Sequence, residues 1–317
     1  MKKHKTKVLL TCEHHLRNIN DLSNQFNDLE FKIPEENKQT LSSSEMKELL
    51  RDVKFAIIGD DIVDYETLQN NRTLKHLIKW GVGIDSINLA SIKANDINFY
   101  NTPGVFSDEV ADLALGFLLS IERGIHITHN KVVTGKWEQY VGNTLRGKKG
   151  FVIGLGSIGQ EICNRLSAFG IEVSGYDPFV KSCSYPIKEI EIGCKDSDYI
   201  FLACNLTEKN KHLIDKHLIA KMKRNVVLIN IARGGLVCEK SVIDALLQKK
   251  IKAVGFDVFE SEPPDIKLLD NKLSIFGSHG GSSTTEAINK INFATLNLVR
   301  RLILEEPFND LPVKRLN

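Results

Sequence analysis

The stretch "FVIGLGSIGQEI", residues 151–162, decides how this chain is read. An apolar run enters it, and Gly154, Gly156 and Gly159 follow in the spacing G-x-G-x-x-G. The first glycine permits a tight turn, the second lets backbone approach a pyrophosphate, and the third lets the following helix pack close to the strand. Leu155 sits inside the turn, and the N–H groups of Ser157 and Ile158 would face phosphate at the helix start. Ile158, Ile162, Leu166 and Phe169 then recur at helical spacing, with Gly170 as the stop. A second apolar run, "IEVSGYD", ends in Asp177, eighteen residues after Gly159. A carboxylate there accepts hydrogen bonds from ribose hydroxyls and repels a 2′-phosphate, so the expected cofactor is NAD rather than NADP.

Working outward, short runs that are apolar on successive residues alternate with helical patterns. Candidate strands before the glycine turn are 7–11, 55–59, 75–81 and 97–101; from it onward they are 150–156, 171–177, 199–204, 226–232, 253–259 and 273–278. Such runs suit strands buried on both faces, hence an α/β fold with parallel sheets covered by helices. The segment "SDEVADLALGFLLSIER" places Val110, Leu113, Ala114, Phe117, Leu118 and Ile121 on one helical face, with Ser107 as its expected cap. A last long helix is expected after Ser283, whose spacing to Glu286 matches a capping box. Turn residues in "NTPGVFSD" separate the two strand series. This sets expected domains at 1–101, completed by 283–317, and at 102–282.

Composition excludes several classes of function. A formal net charge of +2 over 317 residues gives no electrostatic case for nucleic acid or an anionic membrane. The six cysteines form no CxxC pair and have no histidine cluster beside them, so neither a metal site nor a disulfide framework is expected. The basic start has an apolar run too short for a signal peptide, and the expected location is cytoplasmic. Short-chain reductase chemistry needs Tyr-x-x-x-Lys, and none of the six tyrosines has a lysine four residues later.

Three later segments put chemistry beyond strand ends: "NIARGGLV" carries Arg233, "DVFESEPP" carries Asp257 and Glu262, and "GSHGGSSTTEA" carries His279. Open parallel sheets bind ligands outside the carboxyl ends of their strands, so a guanidinium, a carboxylate and an imidazole should gather near the nicotinamide. Arg233 can clamp a 2-oxo acid's carboxylate in fork geometry and polarise its ketone. His279 can donate a proton to the carbonyl oxygen, or remove the hydroxyl proton in reverse, while Glu262 orients the ring and favours imidazolium.

With "GVGIDSINL", "NTPGVFSDEVADLALGFLL", "GLGSIG" and these three segments in order, the chain resembles the D-isomer-specific 2-hydroxyacid dehydrogenases over most of residues 75–290. The resemblance implies a flavodoxin-like substrate domain into which a Rossmann-type NAD domain is inserted. It implies that the Val82 and Gly83 amides bind the substrate carboxylate and that Asp257 anchors the nicotinamide carboxamide. Ile231 and Ala232 would line the same ring, and Cys204 and Asn205 would lie toward the adenosine. It also implies a homodimer through the NAD domain. The expected substrate is a small 2-hydroxy acid or its 2-oxo partner, with 3-phosphoglycerate/3-phosphohydroxypyruvate, glyoxylate and hydroxypyruvate all open. An NAD(H)-sensing module that binds other proteins, in the manner of a corepressor, is the alternative of another class.

Two departures from the family pattern bear on substrate and control. Where members that oxidise 3-phosphoglycerate often carry an arginine, this chain reads "GDDIVD". Asp60 and Asp61 would either repel a phosphate or stand as solvent-facing turn residues. With 38 residues after His279 in the sequence, no appended regulatory domain is expected.

Overall fold

The computed structural model describes residues 5–36, 38 and 40–317. Their packing divides the chain into two compact units, Met1–Val105 with Thr284–Asn317, and Phe106–Ser283.

The first unit holds β1 (Thr6–Leu10), β2 (Leu29–Lys32), β3 (Phe55–Ile58), β4 (His76–Lys79) and β5 (Asn98–Asn101). All are parallel to their neighbours, in the order β2-β1-β3-β4-β5. A short strand near the chain's end, Lys314–Arg315, lies antiparallel on β5. The side chains of β3 are buried throughout, as a parallel strand covered on both faces requires. Helix Thr285–Leu304 belongs to this unit. Its buried Asn292 accepts from Trp80 Nε1 at 2.7 Å, which ties the helix to the segment after β4.

The second unit holds β6 (Lys149–Ile153), β7 (Glu172–Tyr176), β8 (Tyr199–Leu202), β9 (Val226–Asn230), β10 (Ile251–Phe256) and β11 (Ile275–Phe276). Its sheet is parallel throughout, ordered β7-β6-β8-β9-β10-β11. Phe151, Ile153, Ile200, Leu202, Val226, Leu228, Val254 and Phe256 form the buried face of one core layer. The long helix Ser107–Arg123 packs Ala111, Ala114, Phe117, Leu118 and Ile121 inward. The pairs β1/β3 and β6/β8 are the two places where strand order reverses, the crevices at which such sheets take ligands.

Several local expectations need correction. The strands Leu29–Lys32 and Lys314–Arg315, the latter being β12, were not expected. Both are short edge strands without a continuous apolar run, so nothing in their pattern announces pairing. Ser107 does not cap its helix: the N-cap is Phe106, and the Ser107 hydroxyl is buried without a hydrogen-bond partner. The last helix is capped by Thr284, whose side chain accepts from the Ala287 amide, rather than by Ser283. Asp61 is not a solvent-facing turn residue. It is 1% exposed, accepts from the Leu41 and Gly59 amides at 3.0 Å each, and pairs with the Thr11 hydroxyl. Burial pushes its carboxyl above the usual range, opposed by those donors. Asp60 pairs with the buried Lys79 ammonium at 2.6 Å, and Lys79 also donates to the Gly59 carbonyl at 2.6 Å.

Candidate active site of the second unit

The glycine turn fits a pyrophosphate. Gly154 adopts φ +100°, and a Cβ there would lie 2.6 Å from the Ala203 backbone. At Gly159 a Cβ would meet the Gly154 carbonyl oxygen at 1.8 Å, so the first turn of the helix lies hard against the strand end. At Gly156, by contrast, a Cβ would meet nothing within 4 Å. The close approach is thus to protein at two glycines and open at the middle one. Helix Ser157–Ala168 starts after Gly156 with no side-chain cap, which leaves its first-turn N–H groups for an anion.

Asp177 stands at the end of β7, the neighbour of β6. Its Oδ2 accepts the Leu155 amide at 2.9 Å and its Oδ1 the Phe179 amide at 2.9 Å. Those bonds fix the carboxylate beside the glycine turn, and each oxygen keeps a lone pair for a ribose hydroxyl. Beyond β8, the Asn205 carbonyl accepts from Asn210 Nδ2 at 2.8 Å, which curls the loop back on itself. Burial pushes the Cys204 thiol up to about 11, which keeps it protonated and suits a wall better than a nucleophile.

Arg233 follows β9 through Ile231 and Ala232. The turn that carries it is stapled by the fully buried Asn230, whose Oδ1 accepts the Ala232 amide at 3.1 Å while its Nδ2 donates to the Arg233 carbonyl at 2.9 Å. The Arg233 guanidinium itself donates to the Ala232 carbonyl at 2.7 Å.

Glu262 and His279 meet. The Glu262 carboxylate lies 3.2 Å from His279 Nδ1 through Oε2, and its Oε1 accepts the Phe259 amide at 3.2 Å. Both side chains are about 30% exposed, so the pair is neither sunk in the core nor fully hydrated. His279 has φ +58°, a left-handed conformation that a non-glycine residue keeps only where its surroundings enforce it. Asp257 supplies much of that enforcement. Its carbonyl accepts the His279 amide at 2.8 Å, and its buried carboxylate accepts the Gly280 amide at 3.0 Å and the Gly281 amide at 2.8 Å. Burial raises the Asp257 carboxyl, and the two glycine amides oppose the rise.

Sequence reasoning missed Asn230, Glu239, Glu260 and His212 as parts of this region. Asn230 had a visible signal, a polar residue ending an otherwise apolar strand. The other three look like surface charges on separate segments. Val82 and Gly83 belong to the first unit. There they follow β4 on a segment held by Asn101 Nδ2, which donates to the Val82 carbonyl at 3.1 Å, and by Thr102 Oγ1, which accepts the Gly81 amide at 3.0 Å.

An uncapped helix start behind an open Gly156, a carboxylate fixed beside that turn and a carboxylate-paired histidine are the parts a dinucleotide-dependent oxidoreductase needs. Residues 115–281 match the family model of the D-isomer specific 2-hydroxyacid dehydrogenase NAD binding domain. The chain is 33% identical to a hydroxypyruvate reductase of Thermotoga maritima, over 84% of this chain and 89% of that one. It is 35% identical to a D-3-phosphoglycerate dehydrogenase of Methanocaldococcus jannaschii, over 78% of this chain but about half, 49%, of that protein's length. A crystal structure of D-lactate dehydrogenase from Aquifex aeolicus with NAD and lactic acid shares the fold, with a TM-score of 0.85 at 22% identity, covering 95% of this chain and 96% of that one. This chain therefore belongs to the D-isomer specific 2-hydroxyacid dehydrogenases. It is an oxidoreductase and its cofactor is NAD.

Proposed function

We propose that the chain reduces a small, unphosphorylated 2-oxo acid of the glyoxylate or hydroxypyruvate type to the D-2-hydroxy acid. The observation that carries the catalytic half of this reading is the contact of His279 Nδ1 with Glu262 at 3.2 Å. It commits Nδ1 to the carboxylate and leaves proton transfer to Nε2. Bound NADH supplies the hydride that reaches the carbonyl carbon. The remaining work falls to this chain. Arg233 holds the substrate carboxylate and draws electron density toward the ketone oxygen. The His279 imidazolium gives its Nε2 proton to that oxygen, and Glu262 stabilises the charged ring until it does. In the oxidative direction neutral His279 takes the proton back. The Val82 and Gly83 amides are assigned to the substrate carboxylate as well, and Ile231, Ala232 and Asp257 to the nicotinamide.

An unphosphorylated substrate suits the segment after β3. The Asp60 charge there is answered by Lys79, and the Asp61 carboxylate is consumed by protein donors. That segment, residues 59–64, holds no arginine or lysine of its own with which to meet a phosphate. The hydroxypyruvate reductase similarity over 89% of that relative's length supports the same choice.

The chain is also proposed to form a cytoplasmic homodimer through its second unit. Trp137 and Val141 there are 90% and 94% exposed, with Ile125 and Val133 nearby in sequence and also exposed. A second copy is a partner that such exposed apolar side chains suit. No helix among the described residues is long and apolar enough to cross a membrane.

The test is a spectrophotometric panel of glyoxylate, hydroxypyruvate, pyruvate and 3-phosphohydroxypyruvate with NADH and NADPH. Turnover should be highest with the first two and NADH. His279→Ala should cut kcat by roughly 10²–10⁴-fold. A variant that keeps its rate removes the assigned acid, and preferred turnover of the phosphorylated acid overturns the substrate assignment.

A further inference from the structure

Outside the groups just assigned, two glutamates and a histidine bind the loops of the second unit to one another. The Glu260 amide donates to Glu239 Oε1 at 2.7 Å, and the Glu239 amide donates back to Glu260 Oε2 at 2.9 Å. Each glutamate thus uses its side chain on the other's backbone. The second carboxylate oxygen of this arrangement, Glu260 Oε1, pairs with His212 Nε2. His212 is fixed in turn, since its amide donates to the Gly235 carbonyl at 2.8 Å and its φ is +54°.

These contacts join three segments, those following β8 (His212), β9 (Gly235 and Glu239) and β10 (Glu260). Between the last two the backbones touch. A Cβ on Gly234 would lie 1.8 Å from the Phe259 carbonyl oxygen and 2.5 Å from the Glu260 nitrogen. Arg233 is one residue before that contact, and Glu262 is two residues after it. The clamp therefore sits where a small slip would change the distance from the guanidinium to the Glu262–His279 pair. Glu239 is 8% exposed, and burial raises its carboxyl, with the Glu260 amide opposing and the Glu260 and Asp265 charges adding to the rise. An acid kept in such a place is accounted for by the amide it accepts.

We propose that Glu260, clamped by Glu239 and His212, is a positioning residue that sets Arg233 against the Glu262–His279 pair. The inference rests on the reading of Arg233 as the substrate clamp. It adds that the guanidinium's placement comes from a neighbouring loop and not from the stapled turn after β9 alone.

The experiment compares Glu260→Ala, Glu260→Gln and His212→Asn with the parent chain in hydroxypyruvate and glyoxylate reduction, with NADH binding followed by fluorescence. Misplacement of a binding group by about 1 Å costs on the order of 10²-fold. Glu260→Ala should accordingly lower kcat/KM for the 2-oxo acid by about 10- to 100-fold. Its NADH Kd should hold, because the glycine turn and Asp177 are untouched. Glu260→Gln, whose carbonyl still accepts the Glu239 amide, should recover most of the loss. His212→Asn should show a smaller loss of the same kind, and it serves if the alanine variant does not fold.

In an Arg233→Lys background, Glu260→Ala should cost less than about threefold further, because its effect passes through the missing guanidinium. Parent-like kcat/KM in a folded Glu260→Ala, a loss shared equally by NADH affinity, or full additivity with Arg233→Lys would each overturn the proposal. Arg233→Ala separates the two readings. Full activity there removes the clamp function itself, whereas an inactive Arg233→Ala beside an unaffected Glu260→Ala removes only the positioning role.

Discussion

The two sheets of this chain run in the same order and treat the same place in opposite ways. In each, the first strand of the unit lies between the second and the third: β2-β1-β3 and β7-β6-β8. In each, the chain leaves that first strand at the crevice where strand order reverses. In the second unit it leaves through glycines into the 12-residue helix Ser157–Ala168, whose first amides carry no cap. In the first unit it leaves through Thr11 and Cys12 into a helix of only five residues, Glu13–Arg17. There the donors around the crevice, the Thr11 hydroxyl and the Gly59 and Leu41 amides, are satisfied by the Asp61 carboxylate. At its crevice the second sheet leaves helix amides uncapped, while the first meets its donors with an acid of its own. Topology chooses where a ligand can bind, and a handful of side chains decides whether one does.

That contrast can be broken experimentally. The largest effect is expected from Gly159→Val, which drives side-chain atoms into the Gly154 carbonyl already 1.8 Å from a Cβ position. NADH binding, measured by fluorescence titration, should fall by at least about 100-fold, since a shift of about 1 Å in a positioned group has that cost. Retained affinity would mean that the turn is not the phosphate site. The mirror experiment is Asp61→Ala in the first unit. Removing the acceptor leaves buried donors unmet, at about 1–3 kcal/mol. Calorimetry should show a lower Tm, while the NADH Kd stays within about twofold because the carboxylate and the donors it serves all belong to the first unit. A change in cofactor affinity would contradict the division of labour between the sheets.

The smallest and most specific effect belongs to Glu262→Gln. If His279 is the acid proposed above, ketone reduction needs it protonated, and its rate should fall as pH rises through the histidine's titration. Without the carboxylate the imidazolium loses its stabilising partner. The limb should move to lower pH, as read from kcat against pH between about 5 and 9, a window that spans the usual histidine range. An unmoved limb would detach Glu262 from the acid-base step.

The sequence disclosed the second unit more fully than the first, for physical reasons. Ten strands, eight of them inside a sheet, left readable apolar runs; β2 and β12 are short edge strands without one, so their side chains announce little. The caps at Ser107 and Ser283 were each misplaced by one residue. Several hydroxyls and carboxyls stood close enough to serve, and only packing chose Phe106 and Thr284. At the candidate site, the glycine spacing and the segments carrying Arg233, Glu262 and His279 stood out because each follows an apolar strand run, and the fold brings Glu262 and His279 into contact. The Glu239–Glu260–His212 clamp was not, because its members are separated in the chain and each alone resembles a solvated charge. Asp60 and Asp61 were ambiguous as a pair, and the fold separated them into one ion-paired acid and one buried acceptor.

Gly234 carries a consequence for laboratory evolution of substrate scope. Because its Cα passes so close to the Phe259 carbonyl, the segments after β9 and β10 share one fitted surface. Chimaeras with other dehydrogenases should therefore exchange residues 231–239 and 257–262 together, as a single cassette; swapping either alone would import half of a matched joint.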